Sequence, residues 1–272
     1  MSDYTSVAVE RETDSNVAFV RLDNAPQNVI DLELLLDLGT ALDELDRDGD
    51  VDAIILGTTQ EVFCSGASLD EIANLDAEAG NRWLTAYMET VDRLRDTGKP
   101  TIAAVENTCV AGGNELVMGC DLIVAGESAR FGQPEVFVGS TAAGGGLQLL
   151  PLIVGEKRAR EMILTGELLR ADEAKRIGLV NRVVEDGTAD EAAVDLATQI
   201  IEQSSPQAYR VMKAVMKSWN NLAMHHREMA RELTAAVWNS QEFNERAEQF
   251  INDEALDARS FTGVRPTESD EE

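Results

Sequence analysis

Three stretches of the chain join glycine to residues that can stabilise or move charge. FCSGASL places Gly66 and Ala67 just after an apolar run, where glycine permits a tight turn and leaves the next backbone N–H facing a cleft. VAGGNELVMG places Gly112 and Gly113 at the opening of a helical stretch, so their amides lie near the positive end of the helix dipole. Two such N–H groups converging on one point form an oxyanion hole, which stabilises charge developing on a carbonyl oxygen. Glu115 lies three residues past Gly112 in the first helical turn, and Glu135, in GQPE, follows Pro134 in a glycine-dense loop. Two glutamates flanking an oxyanion hole are placed to share a water and shuttle a proton. Taken singly, each feature has a plainer explanation. Gly-Gly before a helix is most often a turn, Glu115 complements a helix dipole for about 0.3–1 kcal/mol, and Glu135 is an exposed loop acid.

Other chemistries lack their residues. The only histidines are the adjacent His225 and His226, in a polar helical stretch far from the glycine turns, so they read as a surface pair and leave a Ser-His-Asp or Cys-His apparatus without its base. Cys64, Cys109 and Cys120 are an odd number without a C-x-x-C pair, which fits a reducing compartment rather than a disulfide scaffold or a zinc ribbon. No metal site is expected. With 23 Lys+Arg against 50 Asp+Glu, the net charge of −27 repels nucleic-acid phosphate and disfavours a duplex-binding role. No apolar run approaches the ~20 residues of a spanning helix, and the start MSDYTSVAVE lacks a signal-peptide pattern, so a cytoplasmic protein with no membrane partner is expected.

The elements that must carry these residues alternate between strand and helix. SVAVE and VAFVRL read as a hairpin, Asp31 as the N-cap of an amphipathic helix, VDAIILGT and KPTIAAVEN as buried strands, and DLIVAGE and NRVV as further strands. ARFGQPEVFVGSTAAGGG reads as irregular, LQLLPLIVGEKRAREMILTGE and ADEAKRIGLV as helical, and Asp190 to Phe250 as almost purely helical with Pro206 marking a helix start. The result is an α/β domain followed by a helical module. In the latter, Val211, Met212, Val215, Met216 and Trp219 form an apolar stripe at helical spacing, whose default reading is core.

Together these blocks resemble the enoyl-CoA hydratase/isomerase (crotonase) superfamily. CVAGGNELVMGCDLIVAGESARFGQPEVFVGS resembles its two catalytic blocks and VDAIILGTTQEVFCSGASLDEI its upstream block, followed by GGGLQLLP and LTGELLRADEAKRIGLVNRVV. Their ordered combination over roughly residues 5 to 220 is specific in a way that no single block is. The resemblance implies an α/β fold built as a crotonase-like spiral of ββα repeats (1–190). It also implies a C-terminal helical oligomerisation region (191–265) forming a homotrimer or dimer of trimers, before a disordered acidic tail (266–272). It places the oxyanion amides on Ala67 and Gly112, the hydratase glutamates on Glu115 and Glu135, and acyl-CoA contacts on Ser65, Ala67, Ser68, Leu69 and Gly112. It implies reversible syn-addition of water to a 2-enoyl-CoA thioester, with no cofactor beyond the coenzyme A of the substrate. A cyclic acyl-CoA hydratase or hydrolase and a non-catalytic acyl-CoA-binding homologue are the alternatives on the same fold.

The chain departs from the family pattern at several places. Ser68 stands where an aspartate is frequent, Leu149 follows Gln148 where many hydratases have arginine, and Ala143 replaces a frequent glycine. FTGVRP, Phe261 to Pro266, has no lysine in the terminal element. These positions bear on the acyl group and the phosphates rather than on the reaction centre.

The acidic excess, with lysine only at positions 99, 157, 175, 213 and 217, is that of a surface that repels itself unless counterions are abundant, as in a halophile. The unfolding midpoint is expected to climb between dilute buffer and molar salt; a flat midpoint would refute this.

Overall fold

The computed structural model describes residues 4–12, 15–73 and 75–256. Its strands are β1 (Val7–Arg11), β2 (Val17–Leu22), β3 (Ala53–Thr58), β4 (Thr101–Val105), β5 (Thr108–Val110), β6 (Leu122–Gly126), β7 (Arg130–Gly132), β8 (Leu169–Arg170) and β9 (Arg182–Val184). Its helices are α1 (Leu32–Arg47), α2 (Leu69–Ile72), α3 (Ala77–Asp96), α4 (Gly112–Gly119), α5 (Gly146–Val154), α6 (Glu156–Thr165), α7 (Ala171–Arg176), α8 (Ala189–Gln203), α9 (Pro206–Asn220), α10 (Arg227–Trp238) and α11 (Gln241–Ile251). A 3-10 turn spans Pro134–Val138.

Six strands form one sheet in the order β1-β2-β3-β4-β6-β9, parallel except for the β1–β2 hairpin. Alternation along β2 sends Ala18, Val20 and Leu22 to one face, where they meet α1 residues such as Leu34, Leu38 and Leu42. Val17 and Phe19 go to the other face, where α8 covers them with Ala189, Ala193, Leu196 and Ala197. Two-sided burial is what near-continuous runs such as AIILGT require. The α1 helix starts as expected at Asp31, whose side chain accepts the Leu34 N–H. It ends against Lys99, whose ammonium group is buried and donates to the carbonyls of Leu45 and Asp48.

The site depends on a second, smaller sheet, β5-β7-β8, extended by an isolated parallel bridge between Cys64 and Cys109. After the β1–β2 hairpin, the segments from β3, β4 and β6 each send a first strand to the large sheet and a second, very short stretch (Cys64, β5, β7) to the small one. The register is Cys64 opposite Cys109 and Cys109 opposite Phe131. Counting three residues onward brings Ala67 level with Gly112, and four residues past Phe131 lies Glu135. Three consecutive segments thus deliver the candidate residues to one end of one sheet, at the carboxyl ends of its parallel strands.

The C-terminal helices start as expected, with Pro206 opening α9. The expected boundary at 190 falls inside α8, which packs on the large sheet. The following helices pack on other helices and loops, α10 on α3 and α11 on α2 and the 3-10 turn. They brace the glycine-rich loop after that turn: Trp238 Nε1 donates to Ser140 Oγ at 2.7 Å, Thr141 and Thr234 hydroxyls meet, and Arg246 Nη1 donates to Phe137 O at 2.9 Å. The α9 helix is tied down by its polar side instead, with Tyr209 Oη and Lys213 Nζ both donating to Asp121 Oδ2 at 2.6 and 2.7 Å.

One expectation does not hold. The stripe of Val211, Met212, Val215 and Met216 is not core, being 57–68% exposed, with Met212 and Met216 bordering the same cleft as Tyr209, Lys213 and Asp121. The side chain of Trp219, the FTGVRP segment and the acidic tail at 266–272 lie outside the described residues. No helix among the described residues is long and apolar enough to cross a membrane.

Candidate active site

At the end of the small sheet two backbone amides are left by the pairing geometry without a partner among the described residues. Ala67 forms an isolated parallel bridge with Ile30, in which Ile30 N–H donates to Gly66 O and Ser68 N–H donates to Ile30 O, both at 2.8 Å. A parallel bridge spends the groups flanking the central residue and turns that residue's own N–H to the other side. The Ala67 amide therefore points away from Ile30. Gly112 is the first residue of α4, so its N–H has no intrahelical acceptor and sits at the positive end of the dipole.

The two turns press on each other. Gly66 has φ of +102°, and a Cβ built there would lie 2.7 Å from the Ala111 methyl and 3.4 Å from the Gly112 nitrogen. Only glycine satisfies both demands. Ala111 is itself held at φ 51°, ψ −125°, a conformation rare for a residue with a side chain. It is fixed on both sides: its N–H donates to Gly132 O at 2.9 Å, and its carbonyl accepts from Glu115 N–H at 3.1 Å and from the buried Gln133 amide at 2.9 Å.

The two glutamates are buried differently. Glu115 is 2% exposed; its Oε1 accepts the Gly146 N–H at 2.7 Å and its Oε2 lies 3.0 Å from Tyr87 Oη. Tyr87 Oη is also 2.7 Å from Gly112 O. Burial raises the Glu115 pKa to about 7, the rise being checked by the amides of Gly146, Gly144 and Gly145 and by Tyr87. Glu135, in the 3-10 turn, has both carboxylate oxygens shielded from water and without a hydrogen-bond partner among the described residues. Burial, and then the charge of Glu115, push its pKa well above the usual carboxylate range. The two carboxyl groups thus feel each other, and both are shifted upward. Carboxyl groups shifted in this direction can serve as proton donor and acceptor near neutral pH.

Of the other residues singled out in the sequence, Ser65, Ser68 and Leu69 are half-buried and continue from Ala67 toward the surface. Ser65 N–H donates to Gln27 O at 3.1 Å, and Ser68 precedes the first residue of α2. The sequence reading did not single out Tyr87 or Gln133. Tyr87 is on the buried face of α3 with Trp83, Leu84, Met88 and Val91, and its hydroxyl inside an apolar helical pattern was the available signal. Gln133 directly precedes Pro134 and Glu135, and its burial depends on the fold.

Comparison with known proteins identifies the family. Residues 12–257 match the family model described as enoyl-CoA hydratase/isomerase. The chain is 35% identical over 214 residues to a short-chain-enoyl-CoA hydratase from Clostridium acetobutylicum, covering 78% of this chain and 80% of that one. It is 34% identical over 219 residues to a mitochondrial enoyl-CoA hydratase from Pongo abelii, covering 80% and 73%. Among solved structures, an enoyl-CoA hydratase/isomerase from Xanthobacter autotrophicus Py2 superposes with a TM-score of 0.83 at 31% identity, over 92% of this chain and 94% of that one.

A carboxyl group whose folded pKa is raised destabilises the fold progressively as pH rises above its unfolded pKa, because ionisation in the interior is penalised. Glu135→Gln, which cannot ionise, is therefore expected to raise the melting temperature at neutral pH, by about 2–4 °C for each kcal/mol relieved. The gain should shrink toward pH 4. Glu115→Gln, whose parent carboxylate has hydrogen-bond partners, should gain less. Thermal unfolding across pH checks both.

Proposed function

Because the chain belongs to the enoyl-CoA hydratase/isomerase family, we propose that it is the hydratase kind of enzyme, adding water reversibly across the double bond of a 2-enoyl-CoA thioester. The observation that carries this reading is the pair of glutamates with buried carboxyl groups beside two unengaged amides.

In this reading the thioester oxygen accepts from the Ala67 and Gly112 N–H groups. These bonds strengthen as the carbonyl becomes an enolate, which is where binding lowers the barrier. By analogy with measured oxyanion holes, each donor contributes about 3 kcal/mol. Glu115, ionised, takes a proton from water as the oxygen bonds to the β-carbon. The electrons of the double bond pass through the α-carbon onto the thioester oxygen. Glu135, protonated, then gives its proton to the α-carbon, and the enolate returns to a thioester. Glu115 ends with a proton and Glu135 without one, so a single proton moving back restores the site. Ser65, Ser68 and Leu69, on the half-buried run beyond Ala67, would meet the coenzyme A portion.

The exposed stripe on α9 supports a subunit contact, and we extend the proposal to a homotrimer or a dimer of trimers, with the stripe covered by another copy. Sedimentation in high salt measures the assembly; a clean monomer would contradict it.

Crotonyl-CoA and a cyclohexenyl-CoA thioester test the reaction by loss of the conjugated thioester absorbance. Turnover of crotonyl-CoA is expected, with kcat/KM falling as pH drops below about 7, where Glu115 takes up its proton. Glu115→Gln and Glu135→Gln should each lower kcat by about 10²–10⁴-fold with little change in acyl-CoA affinity. Inertness of the unaltered protein toward both thioesters would sink the hydratase reading.

A further inference from the structure

Tyr87 reaches from α3 to Glu115 and to Gly112 at once, with its Oη 3.0 Å from Glu115 Oε2 and 2.7 Å from Gly112 O. A phenol carries a single proton, whereas both neighbours are acceptors while Glu115 is ionised, so the hydroxyl satisfies only one of them fully at a time. Nor is it free to drift. A Cβ on Gly144 would fall 2.0 Å from Tyr87 Cε1 and one on Gly112 2.9 Å from its Oη, so glycine backbone packs directly against the ring. Trp83 braces the ring from behind at 5.5 Å between centroids.

We propose that Tyr87 is a positioning residue whose hydroxyl follows the protonation state of Glu115, donating to the carboxylate while the glutamate is a base and to the Gly112 carbonyl once the glutamate has taken the proton from water. This rests on the hydratase reading. In the first state the Tyr87 O–H points at Glu115 Oε2 and favours its ionised form. In the second, the new Glu115 O–H donates to Tyr87 Oη, and the Tyr87 proton rotates to Gly112 O. No proton leaves Tyr87 at any stage. Its own pKa is pushed up by burial, then by Glu115, Cys64 and Glu135. The ionisable groups around Tyr87 are therefore Glu115 from α4, Glu135 from the 3-10 turn, and Cys64 at its bridge to Cys109. Burial pushes the Cys64 thiol up to about 12, so it stays neutral, as does Cys109 beside it. The remaining partners of Glu115 are the amides of Gly144, Gly145 and Gly146.

Tyr87→Phe keeps the ring and removes only the hydroxyl. With crotonyl-CoA, kcat should fall about ten- to a hundredfold, the range for losing a hydrogen bond to a charged group, while KM changes far less. The acid limb of kcat/KM should move up by about one pH unit. The carboxyl infrared band of Glu115 in the substrate-free protein, identified by its loss in Glu115→Gln, should titrate with the same shift. Replacing Tyr87 by 3-fluorotyrosine, a better donor that preserves the packing, should move band and limb the opposite way. A band and a profile that stay put in both proteins overturn the proposal. If the unaltered protein hydrates no thioester but the band still moves, hydration fails and the link between Tyr87 and Glu115 stands. If it hydrates crotonyl-CoA and the band is fixed, hydration stands and the link fails.

Discussion

The pairing register of a sheet whose longest strands have three residues governs the site. Cys64 opposite Cys109, and Cys109 opposite Phe131, set the heights at which three chain segments leave the sheet. The turn at Gly66–Ala67, the start of α4 and the turn bearing Glu135 each follow at a fixed offset. A slip of one residue in either pairing would reverse the side-chain faces and break the level approach of the two amides. These strands are too short to hold such a register alone. They are continuous in sequence with the large sheet, where both faces are buried by α1, α3 and α8. The large sheet thus acts as the frame, and the small one as the gauge that sets distances within it.

The same frame creates the low-dielectric surroundings of the glutamates. Burial is costly for a carboxylate, and the fold deals with the two unequally. Glu115 receives amides from the loop at 144–146 and a phenol; Glu135 receives no hydrogen bond among the described residues. The amides that Glu115 receives belong to the stretch after the 3-10 turn, which α10 and α11 clasp through Trp238, Thr234 and Arg246. The C-terminal helices therefore help to hold the groups that surround Glu115.

Much of this could be read from residue types. Apolar continuity gave β3, β4 and β6, Asp31 the start of α1, and Gly112–Gly113 the start of α4, because each rests on local chemistry. The ordered blocks pointed to the family. What stayed hidden was three residues long or non-local. TCV and RFG are too short to show a period, so the small sheet was invisible and Glu135 read as an exposed loop acid when taken by itself. The α9 stripe read as core because amphipathic spacing reports an apolar face, not what covers it. Tyr87 was hidden for the opposite reason, since its helix pattern already accounted for it. Only the fold shows that the hydroxyl at the edge of that apolar face has two acceptors waiting.

The contact between Gly66 and Ala111 limits how the protein can change. Ala111 adopts a positive-φ conformation that costs about 1–3 kcal/mol for a residue with a side chain, and its methyl occupies the space that a side chain at position 66 would need. Glycine at 111 would relieve the backbone but empty the seam between the two turns. Positions 66 and 111 are therefore coupled, since a side chain at 66 needs the space that the Ala111 methyl fills.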